Sequence, residues 1–214
     1  MELVSLLSIE VGKLFLMMIV GVIVYRTRLL TAQESRVISK LLIYLVLPCV
    51  VLNSFLVECT PDKLRGLGLA YAAAAVVTLG TIGFTMLVGR PLKLTSLEQV
   101  SIIYCNTGIV VPIVTAVLGR EYVLYSTGML FVHTILMWTH CKIVVSGEKT
   151  IHWKKILLNS NLIGMVIGFF LLLSQIQLPR VVSSTVEGFA ALFGPLSMLV
   201  TGMLVGSMKW ERLR

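Results

Sequence analysis

The chain has 214 residues, of which 57% are hydrophobic and 13% charged, and a formal net charge of +8; its mean hydropathy is +0.96. A soluble domain is about half apolar and about a quarter charged, so the composition excludes an ordinary soluble core and fits an exterior that faces lipid. The basic residues stand in short gaps between apolar runs rather than on one continuous face, which argues against a nucleic-acid partner and marks membrane topology instead.

A spanning helix needs about 20 apolar residues to cross about 30 Å of hydrocarbon. The first such run is 3–25; it lacks a basic leader and a small-residue cleavage site, so it reads as a retained span and not a signal peptide. The second is 38–57, broken by Pro48, and the third is 66–88, rich in Ala and Gly that let helices approach closely in lipid. The fourth, 99–118, contains Asn106-Thr107-Gly108 and then Pro112. The fifth, 122–145, carries His133 and His140, and a basic polar loop, 146–155, follows it. The sixth is 156–178, closed by Pro179, and the seventh is 181–208, interrupted by Gly194-Pro195.

The gaps 26–40, 90–98, 142–155 and 209–214 hold 13 Lys or Arg, against 4 in the gaps on the opposite side. Cytoplasmic loops carry the excess of Lys and Arg, which puts the N-terminus outside and the C-terminus in the cytoplasm of a multi-pass cell-membrane protein. The four cysteines, Cys49, Cys59, Cys105 and Cys141, form no CxxC pair and read as small packing residues, so no metal and no cofactor is expected. HExxH, GxSxG and phosphate-cradling glycine loops are absent, and no catalytic residues are assigned.

Interruptions at membrane depth need a reason, because lipid offers no hydrogen bonds. Asn106 is polar, Gly108 tolerates unusual dihedrals and Pro112 removes a backbone donor. Together they either unwind the fourth span into two half-helices, whose free ends suit an anionic group, or form a simple proline kink. Pro48 in the second span and Pro195 in the seventh become equivalent if the fold repeats after five helices, as inverted-repeat secondary transporters do. Glu10 and Lys13 share a face of the first span, either as a structural pair or as a substrate or proton site. His133 and His140 share a face of the fifth and are either packing residues or a proton relay. Glu187 reads as a solvated residue near the start of the seventh span. Ser197 and Thr201 either line a polar path or bond back to their own helix.

Arg28-Leu29-Leu30 with Glu34, the stretch 42–48 with Asn53, Asn106-Thr107-Gly108-Ile109-Val110-Val111-Pro112, the stretch 159–168, and Gly194-Pro195-Leu196-Ser197-Met198-Leu199 followed by Gly202 occur in an order and spacing that span the whole chain. At these positions the sequence resembles the auxin efflux carrier family of membrane transporters, in its bacterial branch. The resemblance implies ten helices in two inverted five-helix repeats, with crossovers in the fourth and ninth, and small organic anions as substrates: auxin in plants, dicarboxylates such as malonate in some bacterial members. The family's crossover proline and adjoining asparagine carry over to Pro112 and Asn106, although Val110-Val111 precede the proline here in place of the family's glycine-containing pattern.

The expected fold is therefore an all-α membrane protein of about seven transmembrane helices. A first five-helix repeat (1–145) is followed by a cytoplasmic loop (146–155) and by the first two helices of an inverted second repeat (156–214), with the fourth helix broken. Against the ten helices of the family, the sequence given stops after the seventh span, which reads as a truncated product, a fragment, or a chain completed by another, with weak or no transport alone. The expected function is secondary transport of a small organic anion. The substrate is held by Asn106, Thr107, Gly108, Pro112, Pro195 and Ser197, and the partners are that anion and membrane lipid, with a homo-oligomer left open. The competing readings are a seven-helix membrane receptor and a non-transporting membrane scaffold; a retinal pump is disfavoured because Lys209, the one lysine near the last span, sits at its end.

Overall fold

A computed structural model of the chain describes residues 2–104, 107–147 and 153–208. The expected site residue Asn106, most of the polar loop between the fifth and sixth spans, and the basic C-terminal residues 209–214 lie outside the described residues, as do the side chains of Thr107 and Gly108. The described residues are helical, with no strand among them.

The first helix, α1 (Glu2–Arg26), is uninterrupted, and inside it Lys13 Nζ stands 2.5 Å from Glu10 Oε1. The pairing of two opposite charges one turn apart is thus the arrangement the structure adopts. Thr31 then starts α2 (Ala32–Leu41) with a capping box, its hydroxyl accepting from the Glu34 amide while the Glu34 carboxylate accepts from the Thr31 amide. A wide π turn over Leu42–Val46 leads without a break into α3 (Leu47–Ser54). Pro48 therefore does not break the second span. The widened turn immediately before it relieves the crowding its ring imposes on the preceding turn, and the helix runs on.

Thr60 caps α4 (Pro61–Gly89), with Pro61 in the first-turn position where a missing N–H costs nothing. Thr95 and Glu98 form a second capping box at the start of α5 (Ser96–Ile103). At Tyr104 the backbone turns extended, φ −102° and ψ 102°, and the chain re-enters helix as α6 (Thr107–Val117), which contains Pro112. The expected break in the fourth span is present, but it falls at Tyr104, ahead of the proline.

Gly119, at φ +103°, reverses the chain into a short 3₁₀ turn at Arg120–Tyr122. The fifth span follows as α7 (Val123–Leu136), a second π turn at Met137–Cys141, and α8 (Lys142–Ser146). A short α9 (Trp153–Leu157) precedes α10 (Ser160–Ser174), whose 15 residues reach only about 22 Å. The seventh span is α11 (Arg180–Ala191) and α12 (Phe193–Ser207), with a step at Leu192. That step lies three residues before Pro195, which occupies the first turn of α12, where proline is tolerated.

Among the described residues, five helical segments are long and apolar enough to cross a membrane: Val4–Arg26, Ala32–Ser54, Pro61–Gly89, Arg120–Ser146 and Arg180–Ser207. The other two of the seven expected spans are the interrupted α5–α6 pair and the short α10. Large hydrophobic side chains such as Leu69, Val76, Leu87, Val166 and Phe170 point outward and are exposed, as a surface facing hydrocarbon requires.

Packing divides the helices into two groups. In one, α1 lies along α12, with α2 and α3 set beside α12, α10 and α11; in the other, α4 lies along α7, flanked by α5. Glycine makes the closest approaches. A methyl group on Gly202 would overlap the Met18 carbonyl, and one on Gly21 would overlap the Leu199 carbonyl, so α1 and α12 touch backbone to backbone. On the opposite side of α3, Gly168 leaves the space that the ring of Phe55 fills, and Phe55 is 1% exposed. The two groups meet through α6 and α7: Val46, Val50, Val111, Val123, Phe193 and Val200 form one cluster across α3, α6, α7 and α12.

Candidate functional site

Next to that apolar cluster lies a cavity of about 350 Å³, within the range of small-molecule sites. Three segments wall it. The end of α3 supplies Val50, Asn53 and Ser54; α6 and the turn after it supply Val111, Pro112, Thr115, Ala116 and Arg120; α11 and the start of α12 supply Glu187, Ala190, Phe193 and Gly194. Each wall has a sequence reason. Gly194 presents no side chain, so the Pro112 ring approaches it closely: a methyl there would sit 3.3 Å from Pro112 Cγ. α11 gives way to α12 at Leu192, between the cavity residues Glu187 and Ala190 on one side and Phe193 and Gly194 on the other.

Most of the lining is apolar, and three of its polar residues, Asn53, Arg120 and Glu187, meet. Arg120 Nη1 is hydrogen-bonded and ion-paired to Glu187 Oε1, while Arg120 Nη2 donates to Asn53 Oδ1 at 3.0 Å. The arginine thus joins the second span, the connection between the fourth and fifth, and the seventh. Its neighbour Glu121 faces the other way and pairs with Lys63 at 3.2 Å, which leaves Arg120 and Glu187 as the only charged residues lining the cavity among the described residues.

The expected site residues divide. Pro112 lines the cavity and meets Gly194 across it. Pro195 is exposed, and the glycine before it, rather than the proline, forms the wall. Ser197 donates to the Gly194 carbonyl at 2.9 Å, and Thr201 to the Ser197 carbonyl at 2.8 Å, so both bond back into their own helix. Arg120 and Glu187 entered the sequence reading only as a loop charge and a helix-end charge. The signal for them was two opposite charges on connections assigned to the same side, 67 residues apart, which only a folded chain brings together.

A second polar cluster surrounds the break in the fourth span. The Tyr104 hydroxyl lies 3.1 Å from the Leu136 carbonyl and 3.2 Å from His140 Nδ1, and its ring meets the buried His133 edge-on with centroids 5.4 Å apart. Leu136 immediately precedes the π turn, where a widened helix leaves carbonyls free to accept from outside. Both histidines are therefore packed against the residue at which α5 ends. Among the described residues no group of three or more His, Cys, Asp or Glu gathers as a metal site.

The family described as membrane transport protein matches the chain over residues 6–150. The chain belongs to the auxin efflux carrier family of membrane transport proteins. It is accordingly a multi-pass membrane protein of a transporter family, not of an enzyme family. No curated protein and no solved structure matches the chain. The family match covers Asn53, Pro112, Arg120 and the broken fourth span; the opposite wall of the cavity, from Glu187 to Gly194, comes from outside the matched region.

Proposed function

We propose that this carrier binds and moves a small organic anion, an auxin-like or dicarboxylate compound, by a secondary-transport mechanism, and that the cavity between α3, α6 and α11–α12 is part of its path. The observation that carries this reading is the meeting of two interrupted spans: the second half of the fourth, through Pro112, and the start of α12, through Gly194, face each other across a cavity with one cationic side chain on its wall. Carriers build substrate sites from discontinuous helices because half-helix ends supply partial charge at membrane depth without an ionised group. In this reading Asn106, Thr107 and Gly108 bind the anion. Pro195 and Ser197 shape the opposite half-helix. Residues 1–145 form a five-helix repeat and 156–214 the beginning of an inverted second one. The excess of Lys and Arg in alternate connections supports an outside N-terminus and a cytoplasmic C-terminus.

The test is equilibrium binding of radiolabelled malonate and benzoate to the purified chain in detergent, with Asn106→Ala compared against wild type. Affinity for the preferred anion is expected to fall about tenfold on loss of one hydrogen-bonding side chain at a charged ligand, with the melting temperature held. Equal binding by the two proteins removes Asn106 from the site.

A further inference from the structure

We infer that Arg120 is a carboxylate-recognition residue of this cavity and that Glu187 is its built-in competitor, a resident carboxylate that an anionic substrate displaces. The inference rests on the anion-carrier reading and adds to it a residue, a ligand group and a mode of exchange.

The geometry is that of an occupied anion site. A guanidinium offers a planar fork of donors matched to the two oxygens of a carboxylate. In this chain the two terminal nitrogens of Arg120 are taken by two oxygens from two different elements, Glu187 Oε1 and Asn53 Oδ1. A single ligand carboxylate would offer its two oxygens to the same two donors, beside a cavity whose remaining wall is mostly apolar. An organic anion with a carboxylate head and an apolar body fits that arrangement end to end.

Charge completes the argument. Arg120 is the one cation lining the cavity among the described residues, and the acid next to it in sequence, Glu121, is committed to Lys63. Glu187 is therefore the group that neutralises Arg120 in the empty site. The side chains of Arg120 and Glu187 are about half exposed, at 54% and 53%. An ion pair so placed contributes little to stability, because water screens it and two long side chains must be held still. Exchange of Glu187 for a ligand carboxylate is thus cheap for the fold, while it still opposes binding by competing for the same donors. Gly119 precedes the arginine at φ +103°, a conformation that L side chains rarely adopt, and Arg120, the next residue, lines the cavity.

Exchange has a mechanical consequence as well. Arg120 bridges the end of α3 to α11 through Asn53 and Glu187, so a ligand that takes both donors removes that polar link between the second span and the seventh.

The test is equilibrium binding of radiolabelled malonate and benzoate, with the neutral malonamide and benzamide as controls, to the purified full chain in nanodiscs and to its Arg120→Gln, Arg120→Lys and Glu187→Gln variants, each checked by thermal melting. Removing a competing carboxylate while keeping a neutral acceptor is expected to strengthen carboxylate binding by Glu187→Gln about threefold to tenfold. Arg120→Gln is expected to weaken it about tenfold, with Arg120→Lys between because a point charge replaces the fork. The amide controls change with neither variant. A purely structural clamp predicts no gain on Glu187→Gln, so unchanged or weaker binding by that variant overturns the inference, as does unchanged binding by a folded Arg120→Gln. Absence of carboxylate binding in wild type and every variant overturns the anion-carrier reading itself; binding in wild type that ignores both substitutions leaves that reading standing and removes only Arg120 and Glu187.

Discussion

The two ends of the seventh span pack in opposite ways. At the Ser207 end, Gly202 presses against α1 with backbone on backbone and leaves no space for a side chain, and Gly206 lies close to the Val22 backbone. At the other end, Gly194 borders a cavity of about 350 Å³, and an added methyl there would meet only the ring of Pro112. Both ends use glycine, so the difference lies in what faces it. A carbonyl in an adjacent helix backbone cannot move aside, whereas a proline ring bordering empty volume can. One end therefore anchors the span and the other leaves it room to respond to a ligand.

Substitutions along this span are the direct way to break the comparison. Gly202→Leu drives a side chain into the Met18 carbonyl and is expected to lower stability by about 3 kcal/mol or more, beyond ordinary overpacking because backbone is involved; thermal melting in detergent reads it, and a wild-type melting temperature would show that the seam is looser than described. Gly194→Ala meets only the Pro112 ring, at 3.3 Å. It is expected to cost about 1 kcal/mol or less while weakening anion binding several-fold, so stability and affinity separate at this site where at Gly202 they fall together. Gly188, midway along α11, has nothing within 4 Å of an added methyl, and Gly188→Ala is expected to stabilise by about 0.5–1 kcal/mol through helix propensity alone.

The smallest effect is a control far from both ends. The Thr95 amide and hydroxyl hold the Glu98 carboxyl below its usual value of 4.5. Because the folded group is the stronger acid, its contribution is complete above that value and disappears as pH falls through the lowered one. A melting curve taken against pH is expected to lose this small increment in acid for wild type, and not for Glu98→Gln, which has no carboxyl to titrate.

The same contrast explains what was legible in the sequence. Apolar run length gave good bounds for α1, α4 and the fifth span, since the bilayer fixes how long such a run must be. The prolines announced irregularity in the second, fourth and seventh spans but misplaced it. Pro48 sits just after a π turn rather than at a break, Pro112 lies inside α6 while the chain departs from helix at Tyr104, and Pro195 follows a step at Leu192. Proline removes one donor and crowds the preceding turn, so the backbone adjusts upstream of it, by an amount that neighbouring helices decide. The cavity was legible only through Pro112. Arg120 and Glu187 carry no local pattern, and their meeting depends on how α11 is set against the turn after α6.

The π turn at Leu42–Val46 has a consequence for gearing. Such a turn holds one residue more than an α turn, and each residue of an α-helix advances the azimuth by about 100°. Were the surplus residue expelled at one end of the wide turn, the helix beyond it would swivel by that angle. Val50, Asn53 and Ser54 all lie downstream of it. A slip of a single residue there would therefore change which of these side chains face the cavity.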